Sequence, residues 1–273
     1  MIRKLYPHGK RKAFSVTYDD GVEQDVRFVD MLNRYGMKGT FNLNSGLMAQ
    51  GFAWTHESGR IVKRLKPEIA ASLYAGHEVA SHTLTHPYMH ELPREAIFRE
   101  LSADKANLEM LFGREIRGFA VPFDYYSELI ADCVREAGFA YARISEESGD
   151  FALRDDAYHW RATVFHCCAG LEDIVRRFTE TDEELACLQI VGHAYDLDVE
   201  DRWDVMERVF ANISRQNDIL PMTTGELIEY VTAMRRAEIA GGYIRNDSPV
   251  SLWFDVDGAV CEIQSGGQMK TSD

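Results

Sequence analysis

The stretch SVTYDDGVEQD, residues 15–25, runs from an apolar-leaning segment directly into two adjacent carboxylates and a glycine. Adjacent like charges repel each other, and each loses favourable hydration when it leaves water. Asp19 and Asp20 at the end of a buried strand therefore indicate either a solvated turn or a site that holds a positive charge. The strand that precedes them is the first of a series, and this series predicts the fold.

Short β-rich segments alternate with helical patterns along most of the chain. Several helical patterns are followed directly by a glycine, at Gly36, Gly76 and Gly113, where glycine is a typical helix stop. Alternating strands and helices are typical of parallel βα units, in which helices cover the faces of one sheet, open or closed into a barrel. The predicted strands are residues 13–18, 39–43, 77–80, 117–121, 139–143, 161–165, 188–191 and 219–222.

The pattern changes near the C terminus. SLWFDVDGAVCEI, residues 251–263, alternates apolar and polar positions about Asp257–Gly258, which is a strong hairpin signal. We therefore predict an α/β domain over residues 1–240 and a β-hairpin appendage with a tail over residues 241–273. The last ten residues, QSGGQMKTSD, are expected to fray.

Charge and composition argue against several classes of protein. The formal net charge of −14 argues against nucleic acid or an anionic membrane as a partner. No run of about 18 apolar residues is present, and the basic start MIRKLYPHGKRKAF lacks the apolar core of a signal peptide. The five cysteines, an odd number, do not make a disulfide framework. We therefore expect a cytoplasmic protein with reduced thiols.

The polar motifs follow predicted strands at their carboxyl ends. Asp19 and Asp20 close the first strand, SHTLTH (81–86) follows a second, and VPF (121–123) and His193 follow two others. In α/β folds the loops at these ends converge on one face of the sheet and build the site. The sequence therefore predicts that these groups lie close together.

His82 and His86 are four residues apart, so both imidazoles can reach one ion from a single helical turn. With one aspartate they make a set of ligands that is typical of catalytic zinc sites and also of non-haem iron sites. The second aspartate could then act as a general base for water, whose pKa a bound ion lowers towards about 7. His193 is suited to protonating a leaving group, and its alternative interpretation is a buried core histidine.

Together TYDDG (17–21), SHTLTH, VPF and His193 resemble the motifs of the polysaccharide deacetylase family, the NodB-homology domain, over about residues 13–230. The resemblance implies a distorted (β/α) barrel with about seven parallel strands. It also implies an enzyme that removes acetyl groups from amino sugars or acetylated polysaccharides.

The resemblance also assigns roles to residues. Asp19 would be the catalytic base, His193 the catalytic acid, and the backbone N–H of Phe123 the donor to the oxyanion of the tetrahedral intermediate. The implied cofactor is one divalent ion, with zinc as the first choice and cobalt, nickel or manganese as alternatives. Its implied ligands are Asp20, His82 and His86.

Three positions depart from the family pattern. The family usually has an arginine two positions before the motif-three proline, paired with the catalytic aspartate, and here that position is Ala120. Arg143, at the end of FAYAR, could supply the charge from a neighbouring strand. The apolar residue before the acid histidine is replaced by Gly192. The Asp-Trp pair that orients this histidine is replaced by His159–Trp160, which leaves Asp150, Asp155 and Asp156 as candidates for its carboxylate partner.

Two aromatic residues, Tyr125 and Trp160, are candidates for contact with a sugar ring, with core packing as the alternative for Trp160. FHCC (165–168) could indicate a second metal site, but buried thiols explain it better because no further Cys or His lies at a zinc-finger spacing. The predicted activity is metal-dependent removal of acetyl groups from an N- or O-acetylated sugar or oligosaccharide. The alternatives are hydrolysis of another non-peptide C–N bond, as in allantoinase-like relatives, and non-catalytic carbohydrate binding on the same fold.

Overall fold

The computed structural model of this chain describes residues 1–271. Its strands are β1 (Ile2–Leu5), β2 (Lys12–Asp19), β3 (Thr40–Leu43), β4 (Ala53–Thr55), β5 (Ile61–Lys63), β6 (Glu78–Ser81), β7 (Gly118–Ala120), β8 (Tyr141–Ile144), β9 (Trp160–Arg161), β10 (Val164–Phe165), β11 (Ala186–Gly192), β12 (Ile219–Pro221), β13 (Glu238–Ala240), β14 (Tyr243–Arg245), β15 (Leu252–Val256), β16 (Ala259–Ile263) and β17 (Gln268–Lys270). Its α-helices are α1 (Asp25–Arg34), α2 (Ser45–Gln50), α3 (Pro67–Leu73), α4 (Arg94–Phe112), α5 (Glu128–Glu136), α6 (Leu171–Glu180), α7 (Ala194–Val199), α8 (Trp203–Ile213) and α9 (Thr224–Arg236).

The principal sheet is parallel and curled. Its strands follow the order β10-β11-β2-β3-β6-β7-β8-β9, and β12 pairs with the first residues of β2 while β3 pairs with the last ones. All of these pairs are parallel. The end strands β9 and β10 are separated by only two residues in the chain, so the two outer strands of the curled sheet lie close together. The predicted fold class is confirmed. The sheet has nine strands in place of about seven, because the predicted strand 161–165 is divided into two and because β12 also pairs with β2.

Strand β2 shows why the two faces of the sheet differ. Phe14, Val16 and Tyr18 belong to the cluster of apolar side chains that α1 and the other helices cover, and the Tyr18 ring stacks on Phe28 at 3.8 Å. The alternate residues of this strand point to the opposite face, because side chains alternate along a strand. These are Ser15, Thr17 and Asp19, which are fully or almost fully buried in the curl of the sheet.

Two small antiparallel sheets lie outside the principal sheet. The predicted hairpin is present as β15 and β16 about Asp257–Gly258, and β1 from the N terminus pairs with β15. The second sheet has the order β13-β14-β17. The expectation that the tail frays is wrong for Gln268–Lys270, because these residues pair with β14, and Ser272 and Asp273 lie outside the described residues. The boundary at residue 240 stays a prediction.

No helix within residues 1–271 combines the length and the apolar character that a membrane crossing needs.

The buried carboxyl group of Asp104 on α4 holds the start of the loop that carries His82 and His86. Asp104 accepts hydrogen bonds from the Ser45 backbone N–H at 2.7 Å and from the Ser81 hydroxyl at 2.6 Å. Burial raises the pKa of Asp104 to about 7, so the carboxyl carries a proton over the acidic range. Because Ser81 directly precedes His82, this contact ties the end of β6 to α2 and α4.

We predict that Asp104→Ala lowers the unfolding free energy by about 3 kcal/mol, since it leaves two buried donors without an acceptor. Asp104→Asn keeps an acceptor for Ser45, and its amide can donate to the Ser81 hydroxyl, so it should lose less than half as much. Urea unfolding of the two variants at pH 6 measures the difference. Equal losses would show that the hydrogen bonds of this carboxyl are not what stabilises the loop.

Candidate metal centre

The carboxyl ends of the parallel strands bring the predicted site residues together at one end of the sheet. Asp19 ends β2, Asp20 follows it, His82 follows β6, Arg143 lies on β8, and His193 follows β11. These strands are close in the sheet order although their residues are up to 174 positions apart in sequence, from Asp19 to His193. The structure therefore brings together the motifs that the sequence separates.

Three donor atoms face one another at this edge. His82 Nε2 lies 3.1 Å from His86 Nε2, and Asp20 Oδ1 lies 3.6 Å from His86 Nε2 and 4.0 Å from His82 Nε2. His82 Nδ1 is 2.9 Å from the Ala120 carbonyl oxygen and must donate to it. In a neutral His82 ring Nε2 therefore has no proton, and its lone pair faces His86 Nε2 and Asp20 Oδ1.

The chemistry of this set fits a divalent cation. Burial lowers the pKa of His82 to about 3 and also lowers the pKa of His86, so both imidazoles are neutral and could act as ligands. Asp20 Oδ1 is buried, and its polar neighbours are the Arg64 guanidinium and the two imidazoles. Four ligands at about 2.1 Å from a tetrahedral zinc ion lie about 3.4 Å apart, which is within the range of these separations.

An arginine that the sequence analysis missed lies against Asp20. Arg64 directly follows β5, is buried, and places Nη1 2.7 Å from Asp20 Oδ1; it also donates to the Asp20 carbonyl. Burial raises the pKa of Asp20, but the charge of Arg64 and the nearby histidines outweigh this and hold it well below its usual range. The carboxylate is therefore ionised. Arg64 carried no sequence signal because its hairpin, β4–β5, was not predicted.

Asp19 is held by one of its two oxygens. Asn42 donates to Asp19 Oδ1 at 2.7 Å, and Arg143 donates to the same oxygen. The other oxygen, Oδ2, faces the histidine pair, 4.0 Å from His82 Nε2. Burial raises the pKa of Asp19, but the guanidinium of Arg143 and neighbouring histidines lower it below its ordinary value.

Arg143 stands directly opposite the position where the family has its arginine. Ala120 on β7 and Arg143 on β8 are register partners in the parallel pair. Arg143 is fully buried, and Nη1 also donates to the Ser145 hydroxyl at 2.6 Å. The charge expected beside Asp19 thus comes from the adjacent strand.

The carboxylate behind His193 is Asp196, which corrects the sequence analysis. His193 Nδ1 donates to Asp196 Oδ2 at 2.9 Å. The three aspartates that were proposed for this role are bound elsewhere: Asp150 pairs with Arg154, Asp155 with Arg235, and Asp156 accepts from the Tyr158 backbone. The overlooked signal was the spacing in GHAYD, where the first turn of α7 sets an aspartate three residues after the histidine.

His193 carries a positive charge in this setting. Burial lowers the pKa of His193, but the hydrogen bond to Asp196 and the two aspartates at the end of β2 raise it to about 9. The ring therefore holds two protons at neutral pH.

An exposed group of aromatic rings borders the donor set. We call Tyr88, His90, Phe123 and Tyr125 the aromatic shelf. The ring of Phe123 lies 4.5 Å from that of His86 and stacks on Tyr88 at 4.0 Å, and Tyr125 lies 3.9 Å from His90. Tyr88, Phe123 and Tyr125 are each nearly half exposed.

Trp160 does not belong to this surface, which corrects its expected substrate contact. It is 3% exposed, packs in the core, and donates from Nε1 to Gln189 Oε1 at 3.0 Å. A side chain with its polar atom and its ring both satisfied inside the sheet cannot face a ligand at the rim.

Unusual backbone conformations concentrate at the site. Residues other than glycine rarely adopt positive φ, and such strain persists where the surrounding structure holds it in place, often at functional sites. Four such residues lie within the motifs that converge here, namely Asp20, Thr83, His86 and Phe123, and a fifth, Asp124, directly follows VPF.

A family model and several solved structures match this chain. The model of the family described as polysaccharide deacetylase matches residues 7–142, about half of the chain. Among solved structures, a proposed polysaccharide deacetylase from Mycobacterium smegmatis is 15% identical with a TM-score of 0.60, over 85% of this chain and 94% of its own. A family 4 carbohydrate esterase from Streptomyces lividans, in complex with acetate, is 17% identical with a TM-score of 0.51, over 75% and 91%.

A protein from Bacillus anthracis described as a CE4 family pseudoenzyme is 14% identical with a TM-score of 0.53, over 83% of this chain and 68% of its own. The chain covers 56% of a Streptococcus pyogenes deacetylase at a TM-score of 0.44, which is too low to carry an argument. At these identities the likenesses show the fold alone. No curated protein sequence matches the chain.

We predict that Arg143→Met lowers the unfolding free energy by about 3–5 kcal/mol, because it leaves the Asp19 carboxylate buried without its partner. The double variant Asp19→Asn with Arg143→Met removes both charges and should recover more than half of the loss. Urea unfolding at pH 7 measures this cycle. Strictly additive losses would mean that the two side chains do not depend on each other.

Proposed function

Since this chain belongs to the polysaccharide deacetylase family over residues 7–142, we propose that it is a metal-dependent hydrolase of acetylated carbohydrates. It would remove acetyl groups from an N- or O-acetylated sugar or oligosaccharide, with acetate and a free amine or hydroxyl as products. The observation that carries the proposal is the convergence of two imidazole nitrogens and one carboxylate oxygen beside a second, ionised aspartate.

The proposed ligands of the ion are Asp20, His82 and His86. Zinc is the first choice, and cobalt, nickel or manganese are alternatives, because the ligand types suit all of them. A bound divalent ion would polarise the acetyl carbonyl and lower the pKa of water. The hydrogen bond from His82 Nδ1 to the Ala120 carbonyl oxygen supports this role, since it keeps the ligand nitrogen unprotonated and oriented.

Asp19 is the proposed base. Its Oδ1 is occupied by Asn42 and Arg143, so Oδ2, on the side of the histidines, is the oxygen that takes a proton from the attacking water. Water adds to the acetyl carbon, and the carbonyl oxygen gains negative charge. The backbone N–H of Phe123 is proposed to donate to this oxygen.

His193 is the proposed acid. Its raised pKa keeps the ring protonated at neutral pH, as a proton donor must be. When the bond from the acetyl carbon to nitrogen or oxygen breaks, His193 gives its Nε2 proton to the leaving group. Asp196 holds the opposite nitrogen and stabilises the positive ring before transfer.

The aromatic shelf is the proposed contact for the sugar. Aromatic faces offer broad apolar area with polar edges, which suits the faces of pyranose rings. Tyr88 and Tyr125 are exposed beside the ligand set, so a sugar stacked there would bring an acetyl group towards Asp19.

The alternatives are a hydrolase of another non-peptide C–N bond and a non-catalytic carbohydrate-binding protein. The second is considered because one structure of similar fold is described as a pseudoenzyme. The complete set of ligands favours the deacetylase over both. A cytoplasmic location stays a prediction; all five cysteines are unpaired.

We predict that the purified protein binds about one divalent ion per chain and releases acetate from acetylated sugars in a chelator-sensitive reaction. Asp19→Asn should keep the ion and lose at least about 100-fold in kcat, because it removes the base without removing a ligand. Metal analysis and acetate release from a panel of N- and O-acetylated sugars measure both. The exposed Asp30→Asn is the matched control and should behave as the unsubstituted protein.

Full turnover in Asp19→Asn would refute the assignment of the base. Bound metal without acetate release would move the substrate to another amide, and absence of metal in a folded protein would favour the binding protein.

We also predict that Tyr88→Ala and Tyr125→Ala each raise KM for an acetylated oligosaccharide about 2- to 10-fold with little change in kcat, because each removes a stacking surface and leaves the reacting groups in place. Tyr243→Ala, equally exposed but on β14, is the control. Steady-state kinetics with the preferred substrate measure KM and kcat of these variants. An unchanged KM in both variants would place the sugar elsewhere.

A further inference from the structure

We propose that His166 is a positioning residue for His193, acting through Asp196, and that Gly192 is the position that admits it. The inference rests on the proposed function in one respect, the role of His193 as acid. The contacts that support it belong to residues outside the proposed ligand set, which lie on β2, on α7, and on or directly after β10 and β11.

Asp196 is held between two histidines. Its Oδ2 accepts from His193 Nδ1 at 2.9 Å, and His166 Nε2 lies 3.6 Å from the same oxygen on another side. Because α7 has only six residues, its own backbone restrains this side chain little beyond its first turn. A second donor would fix the carboxylate rotamer, and through it the orientation of the His193 ring.

The protonation of His166 follows from its neighbours. Its Nδ1 lies 2.6 Å from the Tyr18 hydroxyl, and its Nε2 lies 3.6 Å from Asp196 Oδ2. Burial lowers the pKa of His166, so the ring is neutral and has a single proton. A carboxylate can only accept, so that proton is on Nε2, and the Tyr18 hydroxyl donates to Nδ1.

This arrangement is costly without a role. His166 is fully buried, and among residues 1–271 its Nε2 has no hydrogen bond within normal distance. A buried polar atom in this condition destabilises the fold and calls for an explanation. Its position 3.6 Å from Asp196 Oδ2 supplies one.

Gly192 explains how the ring fits. A Cβ at position 192 would lie 2.3 Å from His166 Nδ1 and 2.5 Å from its Cε1, far inside any normal contact. Gly192 is also the register partner of Tyr18, which binds the same ring. The glycine that replaces the family's apolar residue and the buried histidine are therefore one coupled feature.

The test separates positioning from simple packing by using two variants of similar size. His166→Phe keeps an aromatic ring but removes both ring nitrogens. His166→Gln can place an amide N–H donor near the position of Nε2. We expect His166→Phe to lower kcat between about 10- and 100-fold with KM within about 2-fold, and His166→Gln to recover most of the loss. The pKa of His193, measured by NMR of its imidazole in the protein as purified, should fall by about 1 in the Phe variant and stay near its original value in the Gln variant.

Gly192→Ala is an independent test, because the added methyl group displaces the His166 ring without removing it. It should lower Tm by at least about 4 °C in the unsubstituted chain and by less than about 1 °C when combined with His166→Ala, whose space the new methyl group can use. If His166→Phe does not fold, Gly192→Ala replaces it in the kinetic and NMR measurements, with the same falls expected.

An unchanged His193 pKa and kcat in His166→Phe, or equal losses in Phe and Gln, would overturn the inference. So would a second zinc equivalent that is lost in His166→Gln, because it would make His166, Cys167 and Asp196 a metal site instead. If no acetylated sugar is hydrolysed by the unsubstituted protein, the proposed function fails while the NMR comparison still decides the role of His166.

Discussion

The burial of two adjacent aspartates at the end of β2 is the constraint on which the rest of the site depends. Asp19 and Asp20 are each only 4% exposed, and two carboxylates in such a place are tolerated only with compensating charge. Arg143 supplies it for the first and Arg64 for the second. The histidine pair and Asn42 then fill the remaining directions around the two carboxylates. These two aspartates therefore do not form a solvated turn, because neither is appreciably exposed to bulk water.

Where the chain departs from the family pattern, a charged group of the same type is supplied from a neighbouring position in space. The missing arginine at Ala120 is replaced by its register partner one strand away, and the carboxylate behind His193 comes from the next turn of chain. In a parallel sheet such exchanges preserve the site, because adjacent strands deliver their ends to the same edge. A motif can therefore be lost in sequence while the group it supplied stays in place.

The same curl that builds the site also separates two environments within one strand. Alternate residues of β2 face the helices and the inside of the sheet, so Tyr18 packs on Phe28 while Asp19 turns inwards. Tyr18 also binds His166, which links the helix-covered face to the groups behind His193. Packing and the proposed proton chemistry are thus connected through one side chain.

The amino-acid sequence alone was sufficient to predict the alternation of strands and helices, the hairpin about Asp257–Gly258 and the common position of the polar motifs at strand ends. These follow from periodicity and turn residues, which are local properties of the chain. It missed the short helices α2 and α7 and the hairpin β4–β5, whose few residues show little periodicity. Only the tertiary structure decided the partners: Arg64 and Asn42 beside the aspartates, Asp196 behind His193, and the burial of Trp160. Such pairings depend on register between distant strands and on how far the sheet curls, and neither is encoded in any short stretch of sequence.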